Sequence, residues 1–175
     1  MNSEASFNDQ VNKLITDILN SPATKKLVVA GPGTGKTTLF KKAINNSSGY
    51  ENDHLALTFI NNLEDELKKE LEGIAKVYTF HGYCHYLLIN NSALRFGLKE
   101  RFHYYPPLIH LVIKDWIVTK TPSSPQFINE MRNLSEDDSV SYFTEKGNYY
   151  NAVGYDDSIY RVFKALSETV ASPKE

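Results

Sequence analysis

Between Leu27 and Thr38 the chain reads LVVAGPGTGKTT: an apolar run, a glycine-punctuated turn, then Lys-Thr-Thr at the head of an amphipathic segment. Gly33 and Gly35 can adopt φ > 0, which turns successive backbone N–H groups towards an anion. Lys36 stands where an ammonium reaches β and γ phosphates, and the Thr37 hydroxyl stands where it can ligate the accompanying Mg²⁺. A helix beginning near Lys36 adds the positive end of its dipole. The candidate nucleotide-binding residues are therefore Ala30, Gly31, Pro32, Gly33, Thr34, Gly35, Lys36, Thr37 and Thr38, with Lys36 and Thr37 as the catalytic pair and Thr37 as the metal ligand. The strict phosphate-loop pattern opens on glycine; Ala30 at that position makes this the alanine variant.

Those residues need an element on each side. Upstream, Val11, Leu14, Ile15, Ile18 and Leu19 recur at helical spacing and predict a helix over 8–20, with Asn8 or Asp9 as its cap. Gln10 in that helix either reads an adenine edge through its amide or is a solvated helical glutamine. The apolar run before the loop reads as a strand. After the loop, Leu39, Phe40, Ala43 and Ile44 predict a crossover helix, 54–59 (HLALTF) a second strand, and Asn61 the cap of a helix carrying Leu63, Leu67 and Leu71. Residues 75–80 (AKVYTF) form a third strand running into another helix. This alternation predicts an α/β fold with a parallel sheet flanked by helices and nucleotide at the strand ends. From about Asn90 the rhythm changes to mainly helical segments: one after Pro106-Pro107, a short one over 126–134, and a last one over 157–170 with Ile159, Val162, Phe163, Leu166 and Val170 on one face. Residues 135–154 read as loop and short turns.

At 175 residues with a net charge of −2, the chain is one ordinary globular domain in size, and its overall electrostatics do not mark a nucleic-acid binder. Any such binding has to come from a local surface. The single cysteine, Cys84, excludes an internal disulfide and a cysteine-built zinc site. No apolar run reaches the ~20 residues of a membrane span and the N-terminus lacks signal-peptide regions, so no membrane partner and a cytoplasmic location are expected. One part of nucleotide hydrolysis is missing: an acid ending an apolar strand. Asp115, after LVIK, is the sequence candidate, but the 3.6-residue spacing through Trp116 favours a helix there. Asp156 and Asp157 fit the first turn of the final helix.

Several segments, in order, resemble the UvrD/Rep-type superfamily 1 DNA helicases. These are FNDQ at 7–10, AGPGTGKT at 30–37, LTFINNLEDEL at 57–67, VYTFHGYCHYLL at 77–88 and GYDDSIYRV at 154–162. The resemblance implies an ATP-driven motor on single-stranded or partly duplex DNA, with ATP and Mg²⁺ held between two RecA-like domains. Residues 1–86 would be the first part of the first such domain, a P-loop NTPase core; 87–155 a mainly α-helical insertion; and 156–175 a returning segment. Gln10 would then hold adenine, while Phe59, Asn61 and His81 would lie along the DNA strand, where base stacking is sequence-tolerant. The bland alternatives are a buried strand aromatic for Phe59 and a helix-capping or core histidine for His81. Thr38, Ile60 and Asn62 depart from the commoner Arg, Thr and Lys. The second RecA-like domain would be a partner supplied by the rest of the helicase chain. The sequence is expected to end just before the Mg²⁺-binding acid, so that this piece alone does not turn over. A small self-contained P-loop kinase and a nucleotide-sensing module without turnover are the alternatives.

Overall fold

The computed structural model describes residues 3–29, 31, 33–47, 53–120, 125–135 and 137–171. The chain divides into two compact units, Met1–Tyr78 and Thr79–Glu175.

The first unit carries α1 (Ser3–Asn20), α2 (Lys36–Asn46), β1 (Leu55–Thr58), α3 (Asn61–Glu70) and β2 (Lys76–Thr79), whose last residue already belongs to the second unit. β1 and β2 pair as a two-stranded sheet, and next to it the Lys76 N–H donates to the His54 carbonyl at 3.0 Å. Leucines four apart on α3 share one face, and Leu67 and Leu71 meet Ala75, Val77, Ala56 and Ile44 in a small core. The exposed side of α3 carries the expected pair, Lys68 Nζ to Glu64 at 2.7 Å.

Three expectations for this unit need correction. α1 starts at Ser3, so Asn8 and Asp9 lie inside the helix and do not cap it. Asn61 is the first residue of α3; the turn before it is held by the Thr58 hydroxyl, which accepts the Ile60 N–H at 3.2 Å. The third concerns the sheet. Residues 26–29 take no regular structure, and Leu27 and Val29 are 91 % and 89 % exposed. A parallel strand is stabilised by pairing and by cover on both faces, and the run before the loop has neither among the described residues. The expected parallel sheet is thus reduced to the β1–β2 pair.

The second unit contains α4 (Phe80–Asn90), a 3-10 turn (Ser92–Leu94), β3 (His103–Tyr104), α5 (Leu108–Thr119), α6 (Phe127–Arg132), α7 (Asp138–Tyr150), β4 (Ala152–Val153) and α8 (Tyr155–Ala171). β3 and β4 run parallel, with His103 opposite Ala152 and Tyr104 opposite Val153. Successive strand residues face opposite ways, and the two residues of β4 accordingly enter different clusters. Ala152 packs with Leu108, Val112, Phe127, Met131, Val140 and Phe143, whereas Val153 packs with Cys84, Leu88, Leu94, Leu98, Val162 and Ala165.

Two more corrections follow here. Residues 138–150 are a thirteen-residue helix where loop was expected. Its buried stripe, Val140, Phe143, Thr144 and Gly147, has helical spacing but uses a threonine and a glycine, which reads as polar and turn-like in sequence. On α8 the expected face holds only in part: Val162 is buried and Ile159 packs beside it, but Phe163 and Leu166 are exposed, while Asp157, Ser158, Arg161 and Ala165 are buried.

That buried face is tied by one guanidinium. Arg161, fully buried, donates from Nε to Asp157 Oδ1 at 2.8 Å, from Nη1 to Asn148 Oδ1 at 2.8 Å and the Phe96 carbonyl at 3.1 Å, and from Nη2 to the Thr144 carbonyl at 2.9 Å. Buried charges are tolerated only when paired and bonded in this way. Gly147 is the space it needs, because a Cβ there would stand 2.8 Å from Arg161 Nη2. Burial pushes the Asp157 carboxyl up, against the opposing pull of Arg161.

Candidate functional site

Around the phosphate loop the described backbone has the geometry that its glycines predict. Gly33 has φ 70° and Gly35 φ 80°, the left-handed region that side chains disfavour, and no atom lies within 4 Å of a Cβ built on either. Conformation, not crowding, selects glycine at both positions. Gly35 is the N-cap of α2 and contributes no side-chain cap; its carbonyl accepts the Leu39 N–H at 2.9 Å. The first turn of α2 carries no acid, so nothing there opposes an anion. The Thr34 hydroxyl donates to the Gly31 carbonyl at 2.7 Å, and Lys36 Nζ donates to that same carbonyl. Gly31 thus gathers the loop's hydroxyl and its ammonium at one point. Thr37 is half-buried in the opening turn of α2, and Thr38 is exposed beside it.

Ala30 and Pro32 lie outside the described residues. Gln10 falls within α1, and its side chain is likewise outside the description. Phe59 follows the last residue of β1 and is 80 % exposed, so it is not a buried strand aromatic. Asn61, exposed, opens α3. The loop, Phe59 and Asn61 belong to the first unit, and His81 to the second.

His81 sits in the first turn of α4, half-buried, and it does not cap that helix. The cap is Thr79, whose hydroxyl accepts the Gly82 N–H at 3.1 Å. This contact also accounts for the small residue after His81, since a Cβ on Gly82 would stand 2.8 Å from Thr79 Oγ1. The sequence reading missed what surrounds His81: its ring meets Tyr155 edge-on at 5.1 Å, and Tyr155 in turn meets Tyr104. The i, i+4 spacing of His81 and His85 was the one visible hint, because Tyr104 and Tyr155 arrive from distant sequence.

Asp115 is settled by its element. It lies within α5, accepts from the Tyr150 hydroxyl at 2.6 Å and from Lys146 at 3.1 Å, and those bonds hold its carboxyl below the usual range. It is a helix-surface acid, not the end of a strand. Asp156 and Asp157 do occupy the first turn of α8, where Asp156 pairs with Arg132 at 2.9 Å. Among the described residues no group of three His, Cys, Asp or Glu side chains is placed to hold a metal ion. Nor is any described helix long and apolar enough to cross a membrane.

Residues 11–171 match the UvrD/REP helicase N-terminal domain. The chain belongs to that family. No curated protein and no solved structure matches significantly. Membership of the UvrD/REP helicase family implies a P-loop fold and, in the parent protein, ATP-dependent helicase activity on DNA. The matched span takes in most of both compact units.

Proposed function

We propose that this chain is the ATP-binding part of an ATP-dependent DNA helicase or translocase, with Mg-ATP on the loop of residues 30–38 and single-stranded DNA along Phe59, Asn61 and His81. The observation that carries the reading is the loop itself: two left-handed glycines leading into a helix N-terminus free of acid, with Lys36 and Thr37 in its first turn. Lys36 binds the β and γ phosphates, exchanging its carbonyl partner for phosphate oxygen. Thr37 supplies a hard hydroxyl donor suited to Mg²⁺, and the ion, when bound, neutralises charge on the phosphates. Gln10 reads adenine. Phe59 supports the DNA assignment by its exposure at a strand end, since exposed aromatic side chains are the surfaces on which bases of single strands stack.

Within this reading residues 1–86 are the first part of the RecA-like core, 87–155 the helical insertion and 156–175 the returning segment. The second RecA-like domain is the partner that completes the ATP site, the location is cytoplasmic, and the chain alone neither hydrolyses ATP steadily nor unwinds DNA. Binding of a fluorescent ATP analogue with Mg²⁺ tests it. Lys36→Ala is expected to abolish binding and leave the unfolding temperature nearly unchanged, because its ammonium bonds a carbonyl of the loop itself, that of Gly31. Equal binding by Lys36→Ala and wild type would show that the loop is not the nucleotide site.

A further inference from the structure

His81 stands at one end of a row of rings within the second unit. Tyr155 lies edge-on to it at 5.1 Å, Tyr104 edge-on to Tyr155 at 5.6 Å, His85 against Tyr104 at 4.7 Å and Phe102 against His85 at 5.8 Å. The inner end of the row is anchored, because Phe102 and Tyr104 pack on the cluster that contains Cys84, Leu88 and Val153. The outer end is open: Tyr155 is 49 % exposed. Burial keeps the row uncharged in its interior, lowering the His85 pKa and, with the neighbouring Tyr155, pushing Tyr104 up to about 12. Tyr155 is also the first residue of α8, and Gly154 before it is buried against Leu108, so its backbone is fixed.

A phenol that is half in water and braced by rings behind it offers a large flat surface with little freedom left to lose. Single-stranded nucleic acid takes such surfaces, because every base has a π-face. We propose that Tyr155 is a base-stacking residue, forming with His81 a two-ring seat for bases of single-stranded DNA. The proposal rests on the reading of His81 as a DNA contact, and it adds a residue from the far end of the chain to that path.

The test uses the 175-residue chain with an oligothymidylate of about twelve nucleotides and an abasic strand of the same length, compared by fluorescence anisotropy. Tyr155→Ala is expected to weaken oligothymidylate binding about tenfold, to leave binding of the abasic strand unchanged, and to be rescued by Tyr155→Phe. Equal weakening on both strands would mean that Tyr155 only supports the fold, and would overturn the proposal. Loss of binding in His81→Ala with none in Tyr155→Ala would overturn it too, while leaving the DNA path through His81 standing. If wild type binds the two strands equally, or binds neither, the underlying DNA reading fails and this inference falls with it.

Discussion

The first unit holds the chemistry and little core; the second holds a dense core and little recognisable chemistry. In residues 1–78 the described buried apolar side chains are Leu39, Leu71, Ala75 and Val77, and Leu27 and Val29, next to the phosphate loop, stand in water. In residues 79–175 two clusters meet across β4 and α8, and even an arginine is fully buried. A phosphate loop needs only short-range geometry, two glycines and a helix start, so it forms where packing is sparse. A buried ion pair whose guanidinium also takes carbonyl partners from two further segments, the 95–97 turn and α7, needs the surrounding structure already in place.

The comparison is broken most severely at Arg161. Arg161→Ala leaves the Asp157 carboxylate and the Thr144 and Phe96 carbonyls without their donor, at a cost of about 3–5 kcal/mol. Thermal unfolding followed by circular dichroism should show the second unit's helices melting far earlier. A shift of only a degree or two would mean that the pair is not what ties α7, α8 and the 95–97 turn. Next in size is a matched pair of leucines. Leu88→Ala, in the second core, should cost about 2–5 kcal/mol, and Leu27→Ala, in the exposed run, within about 0.5 kcal/mol. Urea midpoints measured side by side decide this, and similar losses would deny the contrast between the units.

Smallest is a pH effect at Asp115. Tyr150, then Lys146, hold its carboxyl below the ordinary value of 3.8, so folding gains from this group above that value and loses the gain as pH falls through the lowered one. Tyr150→Phe should therefore lower the unfolding temperature at about pH 6 more than at about pH 3. An equal shift at both would show that the hydroxyl acts by packing alone.

What was readable in sequence follows the same division. The loop, α2, β1, β2 and the start of α4 are marked by local signals: glycines at fixed offsets, apolar alternation, a threonine before a helix. α7 was hidden because its inward stripe includes Thr144 and Gly147, the latter small for the sake of an arginine fourteen residues on. On α8 the inward Ile159 and Val162 were legible, but the buried face extends to Asp157 and Arg161, which a hydrophobic stripe argument assigns to water. The run 27–29 was apolar enough for a strand, yet strand formation depends on a partner that a local pattern does not contain. For the ring row, His81 was legible from its motif and Tyr155 was not, as nothing in the local sequence links residue 155 to residue 81.

The exposure of Leu27 and Val29 has a consequence for handling the protein. Large apolar side chains standing in water are surfaces on which other chains can gather, and the charges of Lys25 and Lys26, both exposed and immediately before them, are placed as gatekeepers. Where this stretch of one molecule meets the same stretch of another, the two ammonium groups repel their counterparts, and concentrated salt, by screening them, is expected to favour clumping.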